Sequence, residues 1–219
     1  MQNAYYFNPG CALSIYKPDM VGKIFAFLSH EYIGIKMHRI CCRHDPCIPE
    51  GSVIINVCPG CDRRFRTHYS GISTIALWEV LDRKSDFPYP DYHGARMSIH
   101  DACPVRSQPR IHRAVRSLLA KMNISVVETE FNQTRSICCG DSFYGHIPET
   151  QIYELMRKRA ASMPCDDVCV YCVSCIKSIF NGGRKPRYLP DLLFSEDTYA
   201  QEHDIVKWHK GLEAYIDRH

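Results

Sequence analysis

Two periods alternate along the chain. Short β-branched runs give way to stretches with apolar residues three and four apart, an alternation that predicts an α/β protein. Residues 4–7 read as a strand that runs into the turn Asn8-Pro9-Gly10. Residues 21–32 carry Ile24, Phe25 and Leu28 at helical spacing, and 35–40 are extended as far as Cys41. A strongly β-branched strand over 53–57 leads into Cys58, and 72–81 has a helical pattern. Residues 85–90, with Pro88 and Pro90, read as a linker, because proline removes a donor and blocks helix.

The same order then recurs. A strand at 97–100 ends near Cys103, a helix covers 110–122, a strand covers 124–129, and Cys138 and Cys139 follow. Next come a helix over 150–161 and a strand over 167–171 that leads to Cys172. One grammar used twice, with a period of about 100 residues, implies an internal duplication and not a solenoid. The expected organisation is two duplicated Rossmann-like α/β lobes, 1–88 and 89–187, with cysteine clusters at the carboxyl ends of strands. A helical tail, 188–219, completes it. The tail should hold a short helix at 191–194 and a longer one at 203–216, whose stripe Ile205, Trp208, Leu212 and Tyr215 reads as packing. Nothing catalytic is visible there.

Composition narrows the class. The 219 residues are 45% hydrophobic and 23% charged, which suits a globular protein and argues against disorder or fibre. A net charge of +3, with no basic stripe interleaved with aromatics, argues against a nucleic-acid partner. No apolar run reaches the ~20 residues needed to span a bilayer, so direct membrane insertion is not expected. The N-terminal stretch lacks the basic and apolar regions of a signal peptide, which points to a reducing, cytoplasmic setting. Cysteines there serve as metal ligands or redox groups more often than as structural disulfides.

Cysteine is the outlier, with 13 residues, an odd number that cannot pair completely within the chain. The first half has Cys11, then after 29 residues Cys41-Cys42, then after 15 more Cys58-Pro59-Gly60-Cys61. The second has Cys103, then after 34 residues Cys138-Cys139-Gly140, then after 32 more Cys172-Val173-Ser174-Cys175. A C-x-x-C at a helix N-terminus lets two thiolates converge on one centre and gains from the helix dipole. Adjacent cysteines have Cα atoms about 3.8 Å apart, short of the usual disulfide separation of about 4.4 to 6.8 Å, so a vicinal disulfide would be strained. Two neighbouring thiolates suit a polynuclear cluster. Tetrahedral zinc takes four ligands and fits a set of five poorly, so iron and sulfide are the better match. Most of these cysteines follow a predicted strand, where open α/β sheets bind ligands.

Cys165 and Cys169 extend the last motif to C-x3-C-x2-C-x2-C, which offers a competing cubane on that run alone. Strand alternation opposes it, and these two are expected to be structural. Cys47 lies near the first set, as a substitute ligand or a free thiol.

These motifs together resemble the CCG-domain (cysteine-rich domain) iron-sulfur proteins, the family typified by the catalytic B subunit of heterodisulfide reductase. The resemblance covers residues 5–180 and rests on Phe7-Asn8-Pro9-Gly10-Cys11, Cys41-Cys42, Val57-Cys58-Pro59-Gly60-Cys61 with Phe65 beyond, His100-Asp101-Ala102-Cys103, Cys138-Cys139-Gly140 and Cys172-Val173-Ser174-Cys175. It implies two noncubane [4Fe-4S] clusters, one on Cys11, Cys41, Cys42, Cys58 and Cys61 and the other on Cys103, Cys138, Cys139, Cys172 and Cys175. It also implies a disulfide or thiol reductase, or else an electron-transfer subunit that relays electrons between a dehydrogenase and an acceptor. Two departures single out the first site. Arg43 stands where the second motif has Gly140, and the interval to the C-x-x-C is shorter. Loss of that glycine is expected to close the backbone's approach to the cluster, so the second site is the firmer assignment.

Reducing a disulfide consumes protons, and His44, His100 and His146 are the candidate donors near the cysteines. Lys177 is a weaker candidate that offsets cluster charge. The loop Asn181-Gly182-Gly183-Arg184-Lys185-Pro186-Arg187 gathers positive charge that would receive an anionic small thiol or disulfide or an acidic redox partner, or else form a solvated turn. No flavin or nicotinamide motif is recognisable, so a redox partner protein must supply the electrons.

Overall fold

A computed structural model describes residues 4–200 and 202–219; residues 1–3, part of the stretch read for a signal peptide, lie outside it. The first half runs β1 (Tyr5–Asn8), α1 (Cys11–Tyr16), α2 (Pro18–Glu31), β2 (Lys36–Met37), β3 (Val53–Asn56), α3 (Pro59–His68), β4 (Ser73–Ala76) and α4 (Leu77–Asp82). Its four strands are parallel in the order β2-β1-β3-β4. The second half runs β5 (Ala95–His100), a 3-10 turn (Cys103–Val105), α5 (Pro109–Lys121), β6 (Ile124–Val126), α6 (Glu149–Ala161), β7 (Asp167–Val170), α7 (Val173–Asn181), β8 (Lys185–Tyr188) and α8 (Leu189–Leu193). Its order is β6-β5-β7-β8, again parallel. The protein is thus α/β, with two Rossmann-like lobes of one topology. A final helix, α9 (Ile205–Ile216), follows. No helix among the described residues is long and apolar enough to cross a membrane.

The strand order places the cysteines. In each sheet the chain leaves the first strand in one direction and the third in the other, so a crevice opens between the carboxyl ends of β1 and β3 and of β5 and β7. The central strands are buried because helices cover both faces of a parallel sheet.

The lobes share one core, in which Phe7, Leu13, Ile55 and Trp78 of the first join Ile99, Leu118, Tyr171 and Leu189 of the second. Their contact is pseudo-symmetric. Helix α1 meets α7, and the equivalent pair, α3 and the 3-10 turn, meets likewise. Glu79, three residues into α4, holds Arg110 at the start of α5 at 3.2 Å, and Asp191, three residues into α8, holds Lys17 ahead of α2 at 2.8 Å. Each acid sits at the same place in its own lobe and grips a cation on the other.

Several elements differ from their sequence reading. Residues 72–81 are a strand followed by a helix, because Ser73-Thr74-Ile75-Ala76 pairs with β3 and Glu79 caps the free Ala76 N–H at 3.1 Å. The basic stretch at 181–187 is not a loop throughout: Lys185–Tyr188 is an edge strand, where Pro186 is tolerated because one side needs no donor. The strands expected at 35–40 and 124–129 pair only over Lys36–Met37 and Ile124–Val126. Residues 85–90 are a packed connector, with Phe87 buried and Tyr89 donating to Leu81 O and Lys84 O.

Where α7 ends it lies hard against α6. A Cβ at Gly182 would come within 2.3 Å of Ala160 Cβ and 2.6 Å of Met156 O. Gly182→Ala is therefore expected to cost about 1–3 kcal/mol by overpacking. An unchanged urea midpoint would show that the α6–α7 contact yields freely.

Candidate metal centres

The first cysteine set forms around the crevice beside β1. Asn8 donates to Asn56 Oδ1 at 2.9 Å and ties the ends of β1 and β3 together, while its own Oδ1 accepts from Gly10 N at 3.0 Å. Gly10 turns the chain at φ +77°, and a Cβ there would lie 2.8 Å from Cys58 Cβ and 3.3 Å from Cys61 Sγ. Cys58 caps α3, Pro59 opens it and Cys61 lies in its first turn. The Cys41-Cys42 loop is held by Arg64 Nε, which donates to Cys42 O at 2.7 Å, and by Tyr69, which donates to His44 O at 2.7 Å.

Thiol contacts run Cys11 to Cys41 to Cys42 to Cys61 to Cys58. Hydrogen bonds from Cys11 and then Cys42 pull Cys41 down to about 2, and Cys61 pulls Cys58 down to about 7. Cys42 is pushed up to about 12, first by Cys41.

The second set repeats this arrangement. Contacts run Cys103 to Cys138 to Cys139 to Cys175 to Cys172, with Cys139 Sγ and Cys175 Sγ 3.7 Å apart. Cys138 is pulled well down by Cys103 and Cys139, and Cys138 in turn pushes Cys139 up to about 12. Ser142 Oγ lies 2.9 Å from Cys138 Sγ, and Gly140 N donates to the same sulfur at 3.4 Å. Cys172 caps α7 as Cys58 caps α3.

A buried network locks this site. Asp101 accepts from Arg116 through both oxygens, at 3.2 and 2.9 Å, from Gln133 N at 2.7 Å and from Tyr171 Oη at 3.1 Å. Tyr171 Oη in turn accepts from Ala102 N at 3.0 Å, so the Cys103 and Cys172 turns are fastened to each other. Burial works against the Asp101 charge, yet His112 and Arg116 hold its carboxyl well below the usual range.

In each half, then, five thiols neighbour one another in one order: lone cysteine, first and second of the pair, second and first of the C-x-x-C. Five thiolates this close repel one another, and a cation between them removes the conflict. One His100 ring nitrogen and the sulfurs of Cys139 and Cys175 lie within 4.8 Å of one another, all buried. In the first half Asn56 Nδ2 is a buried donor without a protein partner. The cysteine sulfurs, with His100 in the second half, can hold a metal ion or a metal cluster.

No protein family and no curated protein matches the chain. Among solved structures, the Picrophilus torridus aspartate racemase aligns over 99% of this chain and 100% of its own, at 9% identity and a TM-score of 0.34. A likeness of that size bears on neither fold family nor function.

The two departures have one structural cause. A Cβ on Gly140, at φ +108°, would lie 3.0 Å from Ile152 O and 3.1 Å from Leu155 Cβ, both on α6. The glycine therefore makes room for a helix, while its own backbone N–H reaches Cys138 Sγ at 3.4 Å. The first half has no helix between β2 and β3, which accounts both for Arg43, exposed there, and for the shorter interval to Cys58.

The other candidates fall in varied places. Cys169 is buried within β7, where burial pushes its thiol up, and neither it nor Cys165 joins the chain of thiol contacts. Cys47 is exposed on its loop. His44 is exposed and bonds Ile216 O at 3.2 Å, and His146 is exposed. His100 is buried and accepts from Arg159 Nε at 3.0 Å; burial and then Arg159 push it down to about 3, so it is neutral near pH 7. Lys177 is buried in an ion pair with Asp141. Arg184 and Arg187 pair with Asp166 and Asp167, which leaves the basic stretch partly neutralised.

The tail does more than pack. Tyr215 of α9 lines a small cavity with Gly10, Cys11, Cys41 and Cys42. Trp208 Nε1 donates to Ser174 Oγ, inside the second C-x-x-C, at 3.1 Å. His209 bonds Asp141 at 3.2 Å and stacks on Tyr144 at 4.0 Å. One helix thus covers both sets, which its apolar stripe did not signal.

Proposed function

We propose that this chain is an iron-sulfur oxidoreductase of the CCG-domain type, with a noncubane [4Fe-4S] cluster on each cysteine quintet and a disulfide or thiol as substrate. The observation that carries the reading is the single order of five neighbouring thiols, found twice. Such clusters, when bound, accept and deliver electrons one at a time. The net reaction takes two electrons from a partner protein and two protons from water, breaks one S–S bond and releases two thiols. The ten cysteines hold the iron. The Asp101–Tyr171–Arg116 network fixes two of the sulfur-bearing turns, and neutral His100 offers a hydrogen bond instead of a charge. A cavity of about 130 Å³, lined by Tyr16, Val173, Lys177 and Trp208, adjoins the second C-x-x-C and is the place for a small substrate.

A second reading, an electron relay without its own substrate, is favoured by the first quintet. The cavity beside Cys11 and Cys41 is about 10 Å³, room for one water at most. In that reading both quintets pass electrons.

Anaerobic purification with iron and acid-labile sulfide analysis tests the assignment. About eight irons and matching sulfide per chain are expected; zinc without sulfide overturns it. Thiol release from small disulfides by the reduced protein then separates reductase from relay.

A further inference from the structure

Only two cations among the described residues are buried, Arg159 and Lys177, and both lie in the second half. Lys177 is matched by Asp141. Arg159 is different. It is 1% exposed, and its donors go to His100 Nδ1 at 3.0 Å, Phe131 O at 2.9 Å and Ser162 Oγ at 3.3 Å, all neutral groups. A guanidinium kept from water without a counter-charge is costly. His100, which it holds, has a ring nitrogen within 4.8 Å of the Cys139 and Cys175 sulfurs, and the negative charges that act on it are those of Asp101, Cys139, Cys175 and Cys138. Asp101 is already gripped through both oxygens by Arg116, which also pairs with Glu128. The anionic partner left to Arg159 is the second quintet itself.

The first quintet has no equivalent. Its neighbouring guanidinium, Arg64, is half-buried and donates to Cys42 O, while buried Asp62 is paired with Arg66. Asn8, a neutral amide, holds the place that His100 holds in the other lobe, three residues before the lone cysteine. The cause is topological. Arg159 rides on α6, the helix inserted between Cys139 and Cys172, whereas the first half has only a loop between β2 and β3, whose Arg39 lines the cavity beside Cys11 and Cys41 from an exposed position.

We infer that Arg159 is a positioning charge that makes the second quintet the first to take up an electron, and that the α6 insertion is what renders the duplicated halves unequal. The inference rests on the iron-sulfur reading. An added electron is an added negative charge, and it is more stable facing an unscreened buried cation than facing cations in contact with water. Electrons entering from a partner protein therefore settle on the second site, beside the 130 Å³ cavity, and the first site serves to pass them on.

The test is a reductive titration of the anaerobic holoprotein with dithionite, which is oxidised to sulfite, followed by paramagnetic resonance. Cys42→Ser/Cys61→Ser and Cys139→Ser/Cys175→Ser variants assign each signal to its quintet. The second-site signal is expected first in the unaltered chain; a first-site signal that precedes it overturns the inference. Arg159→Gln should bring the second signal level with or behind the first, and Arg159→Lys should keep it ahead. Arg159→Gln with both sites loaded and the order unchanged overturns the role of the charge. If the glutamine variant does not load, the lysine variant decides, since loss of the order with charge retained also counts against it. Absence of iron from the unaltered second half is a separate result, which defeats the iron-sulfur reading itself.

Discussion

Replacing Cys139 and Cys175 by serine is expected to halve the iron and sulfide content, and replacing Cys42 and Cys61 is expected to remove the other half. These four are the inner members of the two thiol chains. Cys139 lies 3.7 Å from Cys175 and neighbours Cys138, Cys175 neighbours Cys172, Cys42 neighbours Cys41 and Cys61, and Cys61 neighbours Cys58. Removing an inner pair breaks a quintet into fragments too small for a polynuclear centre, while the other quintet, in a separate lobe, keeps all its sulfurs. Serine is close to isosteric and preserves the turns. The control is Cys165→Ser/Cys169→Ser, which should leave the metal content unchanged. Loss of half the iron from that control would instead favour a cubane on the last cysteine run, and loss of all iron from either inner pair would show that the two sites are one.

Asp191→Ala is expected to lower stability by about 3–5 kcal/mol, the range for removing one partner of a buried ion pair. The carboxylate has no exposed surface and accepts from Lys17 Nζ at 2.8 Å, Tyr16 Oη at 2.9 Å and Thr198 Oγ1 at 2.9 Å. Alanine leaves those donors without their acceptor and unfastens the first lobe from α8. Lys17 retains Glu196 at 3.1 Å and Asp197 O at 2.7 Å, which places the expected loss toward the lower end. Asp191→Asn keeps an acceptor and should cost less. Urea midpoints of the two variants check this; a shift worth under about 1 kcal/mol for the alanine would mean that this ion pair adds little to the contact between the lobes.

Much of the site was legible in the chain because it is carried by short motifs. The two C-x-x-C turns at helix starts, the paired cysteines and the lone ones each follow from local spacing, and their repetition exposed the duplication. Other elements were hidden by competing signals. Ile72, Ile75 and Val80 fit a helical period, although Ser73–Ala76 is a strand that only its pairing with β3 stabilises. Pro186 and two cations, with Arg184 just before them, disguised the edge strand β8. Gly140 suggested close approach to a cluster, and its N–H does reach Cys138 Sγ, but the closeness of α6 where its Cβ would stand was set by packing.

The α/β class, the repeated order of elements and the ten sulfurs that approach one another were fixed by the amino-acid sequence itself, since periodicity and motif spacing act over a few residues. Which thiol neighbours which, the pairing of Lys17 with Asp191, the reach of α9 over both quintets and the burial of Arg159 against His100 were decided by the tertiary structure alone. Those contacts join residues far apart in the chain, and their energies depend on how packed surfaces exclude water, a property no local pattern encodes.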